Sequence, residues 1–551
     1  MTAATRTPPH LEKPVTAGPG DFAGTVALVR FGLRRDRVRS AVWLLALVLG
    51  TLVTAAEYDT LYATAEQRAG VAETMSSPAA LAMTGPQHYL DDYGVGSILS
   101  HQLLGFMAVL TGLMSVLIVT RHTRNEEETG RAELVRSTVV GRHAQLAAAL
   151  TLAALVNVAL ALLVALGLVS MGIEGIGPGG ALLYGFAHTA VGLVFAGVAA
   201  VTAQFTAHTR GASGMALAVV AVAYVLRAAG DVGEGALSWA TPIGWVQRTY
   251  VFVDNRWWPL LLCLALAALT TVTGFVLSTR RDVGAGLRPA RSGRRTASGA
   301  LTRPLGLALR LHRATLLGFG AGLLVMGLMY GSILGDAADM VKDVEQVQEA
   351  LAEIGGSTVE ESFASMVMVV VAVVAAVYVV MATLRLRAEE SAGRAEPLLA
   401  TGLSRDRWAG SHVAVALLGG TGLLVVAGLG FGLSGAASTG DRALVAKLVL
   451  AAVVYAPALW VTVGATVVVF GWCPRAGAAA WAVPVYAFLV GYLGPILRLP
   501  QAMADISPFG HVPRLPAAQI SWTPLLALTA VAAGLILLGI AGFRRRDLEC
   551  T

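Results

Sequence analysis

The chain has 551 residues, of which 56% are apolar and only 13% charged, with a formal net charge of +6 and a mean hydropathy of +0.68. That balance points away from a soluble multidomain enzyme and toward a polytopic helical membrane protein. The arginines stand at the ends of apolar runs instead of forming one patch, so nucleic acid is excluded as a partner; Cys263, Cys473 and Cys550 are isolated and give neither a disulfide framework nor a metal pair.

The polar start lacks an apolar core near the terminus, so no cleavable signal peptide is expected and the first span serves as its own insertion signal. In residues 22–35, Phe22, Val26, Val29 and Leu33 recur at helical spacing with Arg30, Arg34 and Arg35 off that stripe, which predicts an amphipathic surface helix. Spans follow at about 40–57, 97–120, 143–171, 180–207, 211–229 and 258–279. A basic linker with Arg280, Arg281, Arg288, Arg291, Arg294 and Arg295 comes next. The pattern then restarts: a second surface helix near 303–313 precedes spans at about 314–334, 363–384, 407–434, 443–471, 476–497 and 522–543. Arginines gather after every even-numbered span, and the loops at 58–96 and 335–362 are acid-rich. Both termini are therefore expected in the cytoplasm of a multi-pass cell-membrane protein. His188 and His412 lie in or beside spans and read as hydrogen-bonded packing residues; Arg227 and Lys447 lie near span ends, where snorkelling accounts for them.

The two halves, expected over 1–285 and 286–551, share a charged stretch between their second and third spans. Glu126, Glu127, Gly130, Arg131, Ala132, Glu133, Thr138 and Arg142 recur as Glu389, Glu390, Gly393, Arg394, Ala395, Glu396, Thr401 and Arg405 at a constant offset of 263. Glu127 precedes Arg131 by four residues, as Glu390 precedes Arg394, which predicts a surface ion pair on a short docking helix in each half. An ordinary charged loop would explain one such stretch, but two gap-free copies argue against it. Phe205 and Arg210 match Phe470 and Arg475, and Pro242, Gly244 and Val246 match Pro508, Gly510 and Val512. Six spans per repeat give both halves the same orientation, so the fold class is all-α integral membrane: twelve transmembrane helices as two parallel six-span repeats.

No phosphate-binding loop, no H-E-x-x-H and no G-x-S-x-G elbow occurs, so no catalytic residue, metal site or cofactor is assigned to this chain and it is not expected to be an enzyme. A duplicated twelve-span protein with paired charged elements and no energy source of its own suggests an external motor. Glu-Glu-x-x-Gly-x-x-Glu followed by a Thr and an Arg resembles the second-to-third-span loop of ATP-binding-cassette (ABC) exporter permeases. The whole chain, including Ser507-Pro508-Phe509-Gly510-His511, resembles the fused twelve-span actinobacterial permeases that export polyketide antibiotics or other drugs.

The resemblance implies that Glu126, Glu127, Gly130, Arg131 and Glu133, with Glu389, Glu390, Gly393, Arg394 and Glu396, form cytoplasmic coupling helices. Each docks on one of two copies of a cytoplasmic ABC ATPase that holds ATP and Mg. It also implies alternating access for hydrophobic small molecules along the second and fifth spans of each half, where Phe106, Met107, Met114, Phe363, Met366 and Met368 are the candidate path residues; membrane lipid is expected as a further partner of the chain. Pro397 in place of Leu134 and Leu399 in place of Arg136 depart from the first copy; a Pro in a first helical turn is tolerated. Reversing charge at Glu127 and Glu390 is expected to uncouple transport and leave folding intact. The alternative is a major-facilitator-like secondary transporter, which expects a short basic loop between its second and third spans; a membrane-embedded lipid transferase would need a polar catalytic cluster.

Overall fold

Eleven helices among the described residues are long and apolar enough to cross a membrane. The computed structural model describes residues 20–233, 235–288, 295–335, 359–491 and 500–548, all helix, turn or loop without a strand. Residues up to 288 form one compact unit and those from 295 another.

In the first unit the spanning helices are α1 (Thr25–Leu61), α2 (Val95–His122), α3 (Ala144–Ser170), α4 (Pro178–Phe205), α5 (Thr209–Val232) and α6 (Pro259–Ser278). α4 is the most enclosed, because its many Ala and Gly residues let neighbouring backbones close in. A Cβ on Gly185 would stand 2.4 Å from the Ala161 carbonyl oxygen of α3. Polar side chains join the same helices. Asn157 of α3 donates through Nδ2 to Ser115 Oγ of α2 at 2.9 Å, and Thr189 of α4 donates to the Asn157 carbonyl at 3.0 Å. Between α1 and α2 lie two short helices, Ala65–Met75 and Pro78–Met83, the first opened by a Thr64/Gln67 capping box. His88 then stands 2.8 Å from both Asp91 and Asp254 and links this loop to the turn before α6; its hydrogen bond holds Asp254 below the usual carboxylate range.

The second unit contains α7 (Pro304–Ser332), α8 (Val359–Ser391), α9 (Arg405–Thr439), α10 (Leu444–Trp472) and α11 (Trp522–Arg545). α10 turns at Val454 and Tyr455, just before Pro457, which cannot supply a helical N–H. Tyr378, Phe431, Tyr455, Phe470 and Phe543 are almost wholly buried and fill the interior of this unit.

Three expectations need correction, and a fourth lies partly outside the described residues. The surface helices at 22–35 and 303–313 are not separate elements: α1 is continuous for 37 residues and α7 for 29. The reason is a polar contact that keeps each opening stretch in line with its span. Asp36, 4% exposed, is held by Arg121 Nε at 3.0 Å and His122 Nε2 at 2.6 Å from the end of α2. In α7, buried His312 faces His412 Nδ1 of α9 at 3.0 Å. The expected span at 476–497 begins as a 3-10 turn over Pro474–Trp481 and a ten-residue helix, Ala482–Gly491; its remainder lies outside the described residues, so eleven spans and not twelve are described. Arg227 does not snorkel. It is fully buried, 3.4 Å from Asp231 Oδ2 and over the Tyr224 ring, while Arg248 approaches the other Asp231 oxygen at 3.3 Å. An aspartate one helical turn away attracts it more strongly than distant water. Most of the acidic 335–362 loop, with Arg291 and Arg294 of the linker, falls outside the described residues.

Candidate coupling site

The charged segment of the first half is two short helices and a glycine turn, not one docking helix. α2 ends at His122, Arg124–Glu128 forms one further turn, and Arg131–Arg136 forms another. Gly130 reverses the chain between them with φ +73°, a left-handed conformation that side chains resist. In the second half α8 runs on to Ser391, Gly393 turns at φ +68°, and Ala395–Leu399 follows. Pro397 occupies the third position of that short helix, where no intrahelical N–H is required.

The expected Glu127–Arg131 and Glu390–Arg394 pairs are not the ones formed. Glu127 is 4% exposed and accepts a two-pronged contact from Arg281, just past α6: Nη2 to Oε1 at 2.7 Å and Nη1 to Oε2 at 2.8 Å. Arg124 Nη1 at 2.8 Å and the Gly284 N–H at 3.1 Å complete its shell. Arg124, itself fully buried, also donates to the Ala203 carbonyl near the end of α4 and to Ala285. The second half repeats the arrangement. Glu390, 2% exposed, is gripped by Arg546 through Nη1–Oε1 and Nη2–Oε2, both 2.6 Å, just past α11. Arg546 stacks on Phe470 at 4.9 Å and Phe543 at 5.1 Å.

The adjacent glutamates point inward as well. Glu126 accepts from Arg35 of α1 at 2.7 Å, with Arg131 4.0 Å away, and Glu389 sits between Arg385 Nε at 2.9 Å and Arg394 Nε at 2.6 Å. The Glu389 hydrogen bond pushes the Arg394 pKa further up. Four of the ten candidate contacts therefore face the fold. The other residues, Gly130, Arg131 and Glu133 with Gly393, Arg394 and Glu396, lie at or near the surface, and Leu134 and Val139 are 73% and 77% exposed.

The family described as "Multidrug efflux system permease Rv1217c, C-terminal domain" matches residues 26–277 and 301–544. The multidrug efflux system permease protein Rv1217c of Mycobacterium tuberculosis (strain ATCC 25618 / H37Rv) is 40% identical over 534 residues, 96% of each chain. The chain belongs to this multidrug efflux permease family. The kinship read from the two charged segments is thereby shown, and the molecule is a multi-pass membrane permease.

Within each unit of the permease the candidate path residues differ in exposure. Met107, Met114 and Met368 are buried in the cores of their own units, Met107 against Gly50 of α1. Phe106 is 53% exposed, Phe363 packs on Tyr330 with ring centroids 6.3 Å apart, and Met366 is half-buried. His188 and His412 are packing residues as expected, His188 Nδ1 lying 2.7 Å from the Tyr184 carbonyl oxygen. Sequence reasoning missed the two arginines that hold the segments. Arg281 and Arg546 stand at the same offset of 265 as Phe205 and Phe470, a signal that was available in the repeat.

Proposed function

We propose that this chain is the membrane subunit of an exporter, driven by two copies of a separate cytoplasmic ABC ATPase that bind ATP and Mg, which moves hydrophobic or amphipathic small molecules out of the cell by alternating access. The observation that carries this reading is the duplicated clamp. In each half a buried glutamate ties the charged segment to the residues after the last helix of that half, and a glycine turn presents the rest to solvent. A force-bearing connection needs both features, a stiff attachment inward and a free face outward. Gly130, Arg131 and Glu133 with Gly393, Arg394 and Glu396 then supply the ATPase contacts, while Glu126, Glu127, Glu389 and Glu390 pass the displacement into the helices. Support against a secondary transporter comes from the buried aspartates, which serve structural contacts: Asp36 lies against Arg121 and His122, and Asp231 lies between Arg227 and Arg248.

The deciding experiment is co-purification of the chain with its ATPase, followed by ATP hydrolysis in lipid with and without drug. Hydrolysis should require the added ATPase and rise with substrate. Robust hydrolysis by the permease alone, or no complex with any ABC ATPase, would sink the proposal. The proposed topology has its own check. Cysteines placed at Glu133 and Glu396, exposed and without ion-pair partners among the described residues, should react with an impermeant maleimide only after the membrane is opened. Labelling from outside intact cells would reverse the orientation.

A further inference from the structure

A hollow of about 260 Å³ with a polar rim and a mostly apolar lining opens among α1, α2 and α5 of the first unit. Its acid is already charge-paired: Asp36 lies 3.0 Å from Arg121 Nε and 2.6 Å from His122 Nε2. Its cations are not. Arg39 is exposed and has no carboxylate partner among the described residues, and the terminal nitrogens of Arg121 are likewise free there. Thr209, on the opposite wall, gives its N–H to Glu128 Oε2 at 2.9 Å, and its hydroxyl is buried beside it. Asn125 adds an amide at the same rim. One helical turn deeper the lining becomes apolar. Trp43 lies four residues beyond Arg39 on α1, and Leu117 four before Arg121 on α2, which at 1.5 Å per residue sets them about 6 Å further into the bilayer.

We propose that this hollow binds the phosphate headgroup of an anionic glycerophospholipid from the leaflet on the Arg121 side. Guanidinium forks match phosphate oxygens, and basic pockets between spanning helices suit anionic headgroups. Arg39 and the free end of Arg121 grip the phosphate, and Thr209 Oγ1 donates to a third oxygen. Trp43 and Leu117 cover the glycerol and the first methylenes. A free phosphate shares the headgroup chemistry but gains nothing from the apolar turn, so the lipid is the occupant. In the second unit the groove between α7 and α9 is lined by Leu, Val, Ala and Gly alone and offers no such cations.

The test is native mass spectrometry of the full chain, titrated in detergent with phosphatidylglycerol, phosphatidylcholine and glycerol 3-phosphate. Phosphatidylglycerol should bind and phosphatidylcholine should bind more weakly. Arg39→Ala should weaken phosphatidylglycerol about tenfold, the loss of one charge-assisted hydrogen bond. Arg39 has no partner to lose, so the lipid-free variant should unfold at the wild-type temperature. Thr209→Val should weaken binding by a smaller factor, and Arg39→Lys should recover part of it. Equal retention of the two lipids, or wild-type affinity in Arg39→Ala, would overturn the site. Displacement of the lipid by glycerol 3-phosphate at equal concentration would overturn the lipid assignment in favour of a soluble phosphate.

Discussion

Replacing Glu127 or Glu390 with alanine should destabilise its half of the permease by about 3 kcal/mol or more, seen as a lower unfolding temperature in detergent. Removing one member of a buried pair leaves the other charge desolvated and uncompensated, at roughly 3–5 kcal/mol. Both glutamates meet that condition, at 4% and 2% exposure. This reverses the expectation that charge reversal there would spare folding, which treated both as solvated. The loss of Glu127 takes a partner from Arg124 and Arg281 together. The pair itself can be isolated in the second half. Glu390→Ala with Arg546→Ala removes both charges, so the double variant should lose less than the two single losses added, by at least about 1 kcal/mol. Some loss remains, since Arg546 also stacks on Phe470 and Phe543, contacts of roughly 0.5–2 kcal/mol. If Glu127→Ala and Glu390→Ala both unfold at the wild-type temperature, the clamps do not hold the segments.

The spans were legible because an apolar run of about 20 residues has few fates other than crossing a bilayer. The surface helices were misread for a reason in the same physics. An arginine-rich stripe beside an apolar one looks interfacial whether or not the helix bends, and what keeps α1 straight is Asp36 meeting Arg121 and His122 from 85 and 86 residues away. Periodicity carries no trace of such a contact. The charged segments show the same limit. Repetition marked the right residues, but an i to i+4 rule describes an isolated helix, and here Gly130 and Gly393 break the helix before that spacing can act. The glutamates then found Arg281 and Arg546, well outside any local window. Arg227 was misplaced likewise, because Arg248 and Asp231 meet only through the fold.

Uncoupling without unfolding should instead follow from the outward tip of the first segment. Leu134 and Val139 are 73% and 77% exposed, so truncating them removes almost no burial from the permease. An aliphatic side chain held out beside Arg131 and Glu133 is the kind of anchor that a protein partner's groove buries. Losing a central anchor costs an interface about 2 kcal/mol, or roughly thirtyfold in affinity. Leu134→Ala with Val139→Ala should therefore purify normally, unfold at the wild-type temperature and bind its ATPase at least thirtyfold more weakly. The second tip predicts a smaller effect. At the matching positions it carries Pro397 and Gly402, so it offers no aliphatic anchor and depends on charge. Glu396→Lys should weaken binding by less than tenfold, and the loss should shrink as salt screens the contact. One ATPase copy would thus be held by apolar burial and the other by charge. In the Leu134/Val139 variant, titration with ATPase should show one strong site where the wild type shows two. Two unaltered sites would remove the tip from the coupling surface.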